Sequence, residues 1–182
     1  MNASLNKLPH TQSHRLSHTL SKLCLSVIAT GLLSLSLTAQ AMTDLQGKPV
    51  ELLEYVGKGK WTIFEIWASD CPYCPDAILY MRDFKHRYPQ ADLYGISLDG
   101  DNGYTRGRQA AQRFIQKHRV NFPTLMSDTV ELDKFLLDQG EEALIGTPAL
   151  MIYNPKGELV GVESGAIIAQ DVIDFIQNKQ SN

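Results

Sequence analysis

The sequence predicts one α/β domain whose sheet is covered by helices on both faces. Strand-like and helix-like patterns alternate from residue 61 onward, and the chain closes with a hairpin followed by an amphipathic helix. Of its 182 residues, 141 follow a leader-like segment at 1–41, and that length supports a single sizeable core. Residues 42–182 contain no repeat and no linker-like stretch, so we expect them to form one domain.

Residues 1–41 have the composition of a secretion signal. Three basic residues occur with no acidic one, an apolar stretch diluted by Ser and Thr runs from Leu23 to Leu37, and Ala39-Gln40-Ala41 fits a small-x-small cleavage site. We therefore expect cleavage after Ala41 and export to the periplasm. The apolar stretch is shorter than the roughly 20 residues of a membrane span, although an uncleaved membrane anchor stays open as an alternative.

The charge balance excludes one class of partner. Without the leader, 14 Lys and Arg stand against 20 Asp and Glu, which gives a net charge of −6. An acidic domain of this kind has no electrostatic reason to bind nucleic acid. Export matters for the cysteines too, because disulfides persist outside the cytoplasm.

The first half of the domain contains two predicted strands separated by a helix. Trp61–Ala68 is rich in aromatic and β-branched residues and predicts a buried strand. Apolar residues recur at three- and four-residue spacings over Pro72–Tyr88, which predicts a helix ended by Pro89. Ala91–Leu98 predicts the next strand, and the glycines and aspartates of 99–103 predict a turn after it.

The second half supplies three more helices and a hairpin. The hairpin turns at Asn154-Pro155-Lys156-Gly157, a sequence typical of a tight connection. The predicted elements are a helix at Tyr104–Val120, a linker or short strand at Asn121–Met126, a helix at Thr129–Gln139, the hairpin strands Ala149–Tyr153 and Glu158–Val162, and a helix at Gln170–Lys179.

The residues Cys71-Pro72-Tyr73-Cys74 follow the first long strand directly and carry the strongest functional signal. Two thiols at this spacing can form a disulfide across the start of a helix, where exposed N–H groups and the helix dipole stabilise a thiolate. We expect Cys71 to stay exposed and attack, Cys74 to be more buried and resolve, and Pro72 to occupy the first helical position.

Two other interpretations of the cysteine pair remain open. A purely structural disulfide is one, although a bridge that closes so small a loop constrains the unfolded chain little. A zinc site is the other, with His86 and His118 as the only further soft ligands after residue 41, at no recognisable metal spacing. Both histidines are flanked by Lys and Arg, which favours a solvated surface. We expect no metal and no cofactor.

Three further positions are candidates for the same site. Glu65 is a charged residue inside an apolar strand, and a buried carboxyl there, with its pKa raised by burial, could exchange protons with Cys74. The alternative is that Glu65 lies on an edge or in solvent. Trp67 is interpreted as a core aromatic that also flanks the substrate groove. Thr147-Pro148 precedes a predicted strand and is either groove lining or a loop terminator; its isomer cannot be read from the residues.

Together, the run Phe64-Glu-Ile-Trp-Ala-Ser-Asp-Cys-Pro-Tyr-Cys74, the later Gly146-Thr-Pro-Ala149 and the hairpin turn at 154–157 resemble the thioredoxin superfamily. The resemblance covers essentially all of residues 42–182 and is strongest to the exported TlpA/ResA-like branch. It implies a thioredoxin-like fold with a central mixed sheet and an extra strand and helix, supplied by about 91–122.

The resemblance also implies roles for individual residues. Cys71 would be the nucleophile and Cys74 the resolving cysteine. Pro148 would be a cis-proline beside the disulfide, in a groove lined by Thr147 and the Pro72-Tyr73 dipeptide. Glu65 would take the place of a buried acid that assists proton transfer. Asp70, where many relatives have Trp, should oppose a very low pKa of the Cys71 thiol.

The resulting hypothesis is a periplasmic thiol–disulfide oxidoreductase that exchanges disulfides with protein substrates, as a reductase more than as an oxidase. Reduction would need an electron donor, for example a membrane protein that passes electrons outward, and we expect a monomer. One alternative is a non-catalytic chaperone or metal-handling module that binds in the groove. Another is a peroxidase of the related peroxiredoxin type, against which the tight cysteine spacing argues.

Overall fold

The structure of the protein, a computed structural model, describes residues 42–181. The predicted leader and its cleavage site lie outside the described residues. A six-stranded mixed sheet forms the centre, with strand order β1-β4-β3-β2-β5-β6. Its strands are β1 (Thr43–Asp44), β2 (Thr62–Trp67), β3 (Asp92–Ser97), β4 (Thr124–Met126), β5 (Ala149–Tyr153) and β6 (Leu159–Ser164).

Strands β2, β3 and β4 are parallel, whereas β5 pairs antiparallel with β2, β6 with β5, and β1 with β4. Because β2 lies between β3 and β5, it is an interior strand, and all six of its residues are buried. The cysteine motif therefore follows a strand that is fixed from both sides. The α-helices are α1 (Cys74–Arg87), α2 (Tyr104–His118), α3 (Thr129–Asp138) and α4 (Ala169–Ser181).

The sequence-based elements are confirmed with shifts of a few residues at their ends. The doubtful segment 121–126 contains strand β4, and the turn at 99–103 contains a short 3₁₀ helix. Two elements were not predicted: β1, which is two residues long, and a 3₁₀ helix at Leu52–Tyr55. Two strand–helix units, β3–α2 and β4–α3, separate α1 from β5, so the predicted extra strand and helix are present.

Helices cover both faces of the sheet, as predicted, and the alternation of side chains along β2 shows how. On the face we call the α1 face, Ile63 and Trp67 belong to a core that includes residues of α1, α2 and α4. On the opposite α3 face, Phe64 and Ile66 join a core with Leu132 and other residues of α3. The cysteine pair belongs to the α1 face.

Within residues 42–181, none of the helices combines the length and the apolar character needed to cross a bilayer.

Helix α2 packs so closely against the chain after β3 that one position excludes any side chain. A Cβ placed on Gly107 would lie 1.9 Å from the backbone oxygen of Asp99. Alanine normally stabilises a helix interior relative to glycine, but this contact is with backbone and cannot be relieved by a rotamer change. We therefore expect Gly107→Ala to lower the free energy of unfolding by about 1–3 kcal/mol in urea titrations.

Thr105→Ala is the matched control, because Thr105 is an exposed residue of the same helix. Equal stability of the Gly107→Ala and Thr105→Ala proteins would show that the close approach of α2 is not required.

Candidate active site

The two cysteines form a disulfide at the start of α1. Their Cα atoms are 5.4 Å apart. Cys74 is the first residue of the helix, and its backbone N–H donates to Cys71 Sγ over 3.1 Å. The end of a helix that carries free N–H groups favours negative charge, which is the environment that stabilises a reactive cysteine thiolate.

Two details of this segment correct the sequence-based predictions. Cys71 was expected to stay exposed, but its relative exposure is only 8%, against 0% for Cys74. The carbonyl oxygen of Thr147, 76 residues further along the chain, lies 3.4 Å from Cys71 Sγ and helps to cover it. Pro72 was expected at the first helical position, but α1 begins at Cys74, so Pro72 lies in the preceding turn and Pro75 is in the first helical turn.

The Thr147–Pro148 peptide bond is cis and lies at the entry to β5. Pro148 is buried, and the half-buried Thr147 presents its carbonyl oxygen to Cys71. The structure thus brings Thr147 and Pro148 to the cysteine pair, as the resemblance implied, and here they form one side of a surface depression.

This depression, which we call the proline cleft, is an open space of about 360 Å³. Its lining consists of Tyr73, Ile145, Gly146, Thr147, Pro148, Ser164, Gly165 and Ala166. Tyr73 and Ile145 are 68% and 93% exposed, and both line the cleft, so they give it two accessible apolar side chains. Pro72 is also exposed. An extended chain with an apolar side chain next to a cysteine would fit such a surface.

The sequence reasoning missed the part of the cleft that lies outside the cysteine and proline motifs. Ile145 precedes the predicted Gly-Thr-Pro motif, Ser164 is the last residue of β6, and residues 165–166 follow that strand. The hairpin register brings them together, since Ala149 pairs with Ser164 and the N–H of Gly165 donates to the carbonyl of Pro148 over 2.8 Å. Extending the predicted hairpin by two residues would have found this side of the cleft.

A larger cavity of about 830 Å³ lies away from the disulfide, between the 3₁₀ helix at Leu52–Tyr55 and α3. It contains no cysteine and contributes nothing to thiol chemistry.

Glu65 lies inside the protein, with a relative exposure of 1%. It occupies the interior strand β2, so the alternative of an edge or solvated position is wrong. Strand alternation places it on the α1 face with Ile63 and Trp67, the face that also carries Cys74. Its Oε1 atom has no hydrogen-bond partner among the described residues, and desolvation by burial raises the pKa of its carboxyl well above the ordinary value.

Trp67 lies in the core and does not reach the surface of the cleft. Its side chain is fully buried and stacks on Phe114, with ring centroids 4.5 Å apart. The assignment of Trp67 to the substrate groove is therefore corrected. Trp67 is a core residue that packs strand β2 against helix α2. Phe114 in turn contacts the ring of His118.

The two histidines lie apart from the cysteine pair. His86 is exposed, as expected. His118 is half-buried against Phe114, and burial lowers its pKa, so it is less solvated than its charged neighbours suggested.

The sequence adds independent evidence to the site geometry, which consists of a disulfide at a helix N-terminus, an adjacent proline and a buried acid. The family model described as AhpC/TSA matches residues 35–162, which is well over half of the chain. The chain belongs to the AhpC/TSA family.

A relative of this family member is the protein named thiol-disulfide oxidoreductase ResA of Halalkalibacterium halodurans. It is 26% identical over 136 residues, which cover 75% of this chain and 70% of the relative. The TlpA/ResA-like resemblance drawn from the motifs is thus confirmed.

Solved structures share the fold. StoA from Bacillus subtilis superposes with a TM-score of 0.56 at 23% identity, covering 74% of this chain and 93% of its own. A thioredoxin-related protein from Neisseria meningitidis serogroup B gives a TM-score of 0.61 at 17% identity, covering 78% and 99%. These matches confirm the thioredoxin-like α/β fold. The family, the ResA relative and the cysteine pair together identify this AhpC/TSA member as a thiol–disulfide oxidoreductase.

Proposed function

We propose that the protein is a periplasmic reductase that exchanges disulfides with protein substrates through Cys71 and Cys74. The observation that carries the proposal is the unequal environment of the two sulfurs. Cys71 is the more accessible one, accepts from the N–H of Cys74 and lies beside the carbonyl of Thr147, which lines the proline cleft, whereas Cys74 is fully buried. That asymmetry supports a division into an attacking and a resolving thiol.

In the proposed reaction, the Cys71 thiolate attacks one sulfur of a substrate disulfide. A bond forms between Cys71 Sγ and that sulfur, and the second substrate sulfur leaves as a thiolate. Cys74 then loses its proton and attacks Cys71 Sγ, which releases the first substrate sulfur. Two electrons pass to the substrate, whose disulfide becomes two thiols, and the protein is left with its own disulfide. The reverse sequence would oxidise a dithiol. The sulfurs carry the electrons, so no cofactor is required.

Glu65 is proposed to accept the proton of Cys74 in the resolving step. Both side chains belong to the α1 face, and the raised pKa of Glu65 brings its titration closer to the pH at which a proton-transfer group works best. Solvent cannot readily serve a thiol that is fully buried, so an internal base has a clear purpose here.

The substrate is proposed to bind as an extended segment in the proline cleft. There Tyr73 and Ile145 would contact its apolar side chains, and Thr147 would contact its backbone. Continued turnover as a reductase requires a donor of two electrons, and a membrane protein that passes electrons outward would serve a periplasmic domain. We propose that the domain acts as a monomer.

The direction of electron flow is tested by the reduction potential of the Cys71–Cys74 pair. Tyr73 supplies no cation to stabilise the thiolate further, and the negative charge of the neighbouring Asp70 opposes it. The reduced form is therefore stabilised less than in strongly oxidising relatives. We expect a potential between the thioredoxin and oxidant extremes of roughly −270 and −120 mV, and a value near or below about −250 mV would support the proposed reductase. Residues 42–182 would be equilibrated with thiol and disulfide buffers, alkylated, and analysed by mass spectrometry.

The Cys71→Ser protein serves as the control, because it has no pair to titrate. A potential above about −180 mV would instead indicate an oxidase or isomerase. The absence of any reversible titration would contradict the redox function itself.

A further inference from the structure

Asp99 is a buried carboxylate that the reaction described above does not use. It lies two residues after the end of β3 and is 1% exposed. A charged group at this depth is unfavourable unless hydrogen bonds compensate for its lost hydration. Asp99 receives several: Oδ1 accepts from Oγ–H and N–H of Ser69 over 2.5 and 3.2 Å, and Oδ2 accepts from Oγ–H of Ser97 over 2.6 Å.

These bonds hold the segment that leads into Cys71. Ser69 is two residues before the cysteine, and the N–H of Cys71 donates to the carbonyl of Ala68 over 3.2 Å, which makes a tight turn of 68–71. The adjoining backbone is also tied to the end of β3, because the N–H of Leu98 donates to the carbonyl of Trp67 over 2.9 Å.

Asp99 is itself held from the other side. The closely packed helix α2 leaves no room above its backbone, as Gly107 shows, and the N–H of the next residue, Gly100, donates to the carbonyl of Ser127 over 3.1 Å. The carboxylate is therefore a rigid anchor, and the turn at 68–71 is the part that would move if the anchor were lost.

We propose that Asp99 is a positioning residue, which acts through Ser69 to hold Cys71 Sγ at the N-terminus of α1. The inference rests on the proposed exchange reaction at Cys71. Two contacts depend on this placement: the 3.1 Å contact of Cys71 Sγ with the N–H of Cys74 and the 3.4 Å contact with the carbonyl of Thr147. A thiolate displaced from the helix end loses the first of these, so its pKa rises and its reactivity near neutral pH falls.

Ser69→Ala removes the hydroxyl bond to Asp99 and keeps the N–H bond, whereas Asp99→Ala removes both. Asp99→Asn removes the charge but keeps an acceptor oxygen for Ser69. We expect Asp99→Ala to lower the rate of disulfide exchange by about 10- to 100-fold, the scale of a reacting atom moved by up to an ångström. Ser69→Ala should act in the same direction. Asp99→Asn should restore most of the lost rate.

The decisive readout is the pKa of the Cys71 thiol, taken from the pH dependence of its alkylation by iodoacetamide in the reduced protein. It should rise in Ser69→Ala and Asp99→Ala and stay near the wild-type value in Asp99→Asn. Glu131→Gln is the matched control, since Glu131 accepts from Tyr104 and Ser127 but lies on α3, away from the disulfide. It should change stability without changing the pKa of Cys71.

An unchanged pKa and rate in Ser69→Ala would overturn the proposal, and this variant decides the question even if Asp99→Ala does not fold. A shift in Asp99→Asn as large as in Asp99→Ala would overturn it too, because the effect would then belong to the charge of Asp99. The alkylation measurement needs no substrate disulfide, so failure of this inference is distinguishable from absence of oxidoreductase turnover in the wild-type protein.

Discussion

Replacing Cys71 with serine is expected to reduce disulfide exchange to the uncatalysed background. A serine hydroxyl cannot form a bond to sulfur in place of the thiolate, so the first step has no nucleophile. Cys74 cannot take over that step, because its side chain is fully buried. The measurement is the rate of reduction of a peptide disulfide by the reduced variant, compared with the wild-type protein.

Replacing Cys74 with serine has a different expected result. Cys71 still attacks, but the mixed disulfide has no resolving thiol beside it and persists until an external thiol arrives. Substrate should therefore remain attached to the protein. Non-reducing electrophoresis and mass spectrometry after incubation with a disulfide-containing peptide would detect a single adduct on Cys71.

The protein in which both cysteines are serine controls for non-specific attachment and should form no adduct. An adduct on Cys74 of the Cys71→Ser protein, at a rate similar to that of the Cys74→Ser protein, would reverse the two roles. Such a result would mean that the segment around Thr147 moves enough to open the inner sulfur, since nothing in the static structure exposes it.

The main elements of the fold were predictable because they depend on local patterns. β2 is rich in aromatic and β-branched residues, and α1 has apolar residues at helical spacing, so both were visible in the sequence. β1 was not, since a strand of two residues has no period and exists only through its pairing with β4. The helix start at Cys74 in place of Pro72 was not visible either, because the preceding turn at 68–71 is bonded to Asp99, 30 residues away from Ser69 in the chain.

The candidate site shows the same division between local and distant determinants. The spacing of the cysteines predicted their pairing and the difference between them. The near-complete cover of Cys71 was not predictable, because the atom beside it belongs to Thr147, far along the chain. The same holds for Ile145, which lies in none of the predicted helices or strands and whose significance is visible only once the fold brings it to the cleft.

Glu65→Gln is expected to slow exchange at neutral pH by about 10²-fold or more, the usual contribution of a positioned proton-transfer group. Glutamine has nearly the same shape as glutamate, so the fold should persist, but it cannot accept the proton of Cys74. The pH profile of the resolving step should contain the ionisation of Glu65 in the wild-type protein and lack it in the variant. Stopped-flow measurement of substrate release from the mixed disulfide would follow that step.

Glu65→Gln, which should slow exchange, should by contrast raise the stability of the folded protein at high pH. Burial raises the pKa of Glu65 in the folded protein, so the folded state holds its proton more tightly than the unfolded state does. The free energy of unfolding of the wild-type protein therefore falls as pH rises from the ordinary glutamate pKa to the raised one, and levels off above it. Glu65→Gln lacks this fall. In urea titrations, the free energy of unfolding of the variant minus that of the wild-type protein should therefore be larger at pH 8 than at pH 4.

Glu163→Gln makes the same chemical change at an exposed position of β6, in the same row of the sheet: Glu65 and Glu163 both pair with Leu150. It should affect neither the pH profile nor the pH dependence of stability. If the Glu65→Gln protein matched this control in both measurements, Glu65 would be neither the base for Cys74 nor a carboxyl with a raised pKa. If Glu65→Gln changed the pH dependence of stability but not the kinetics, Glu65 would be a buried acid that destabilises the folded protein and takes no part in proton transfer.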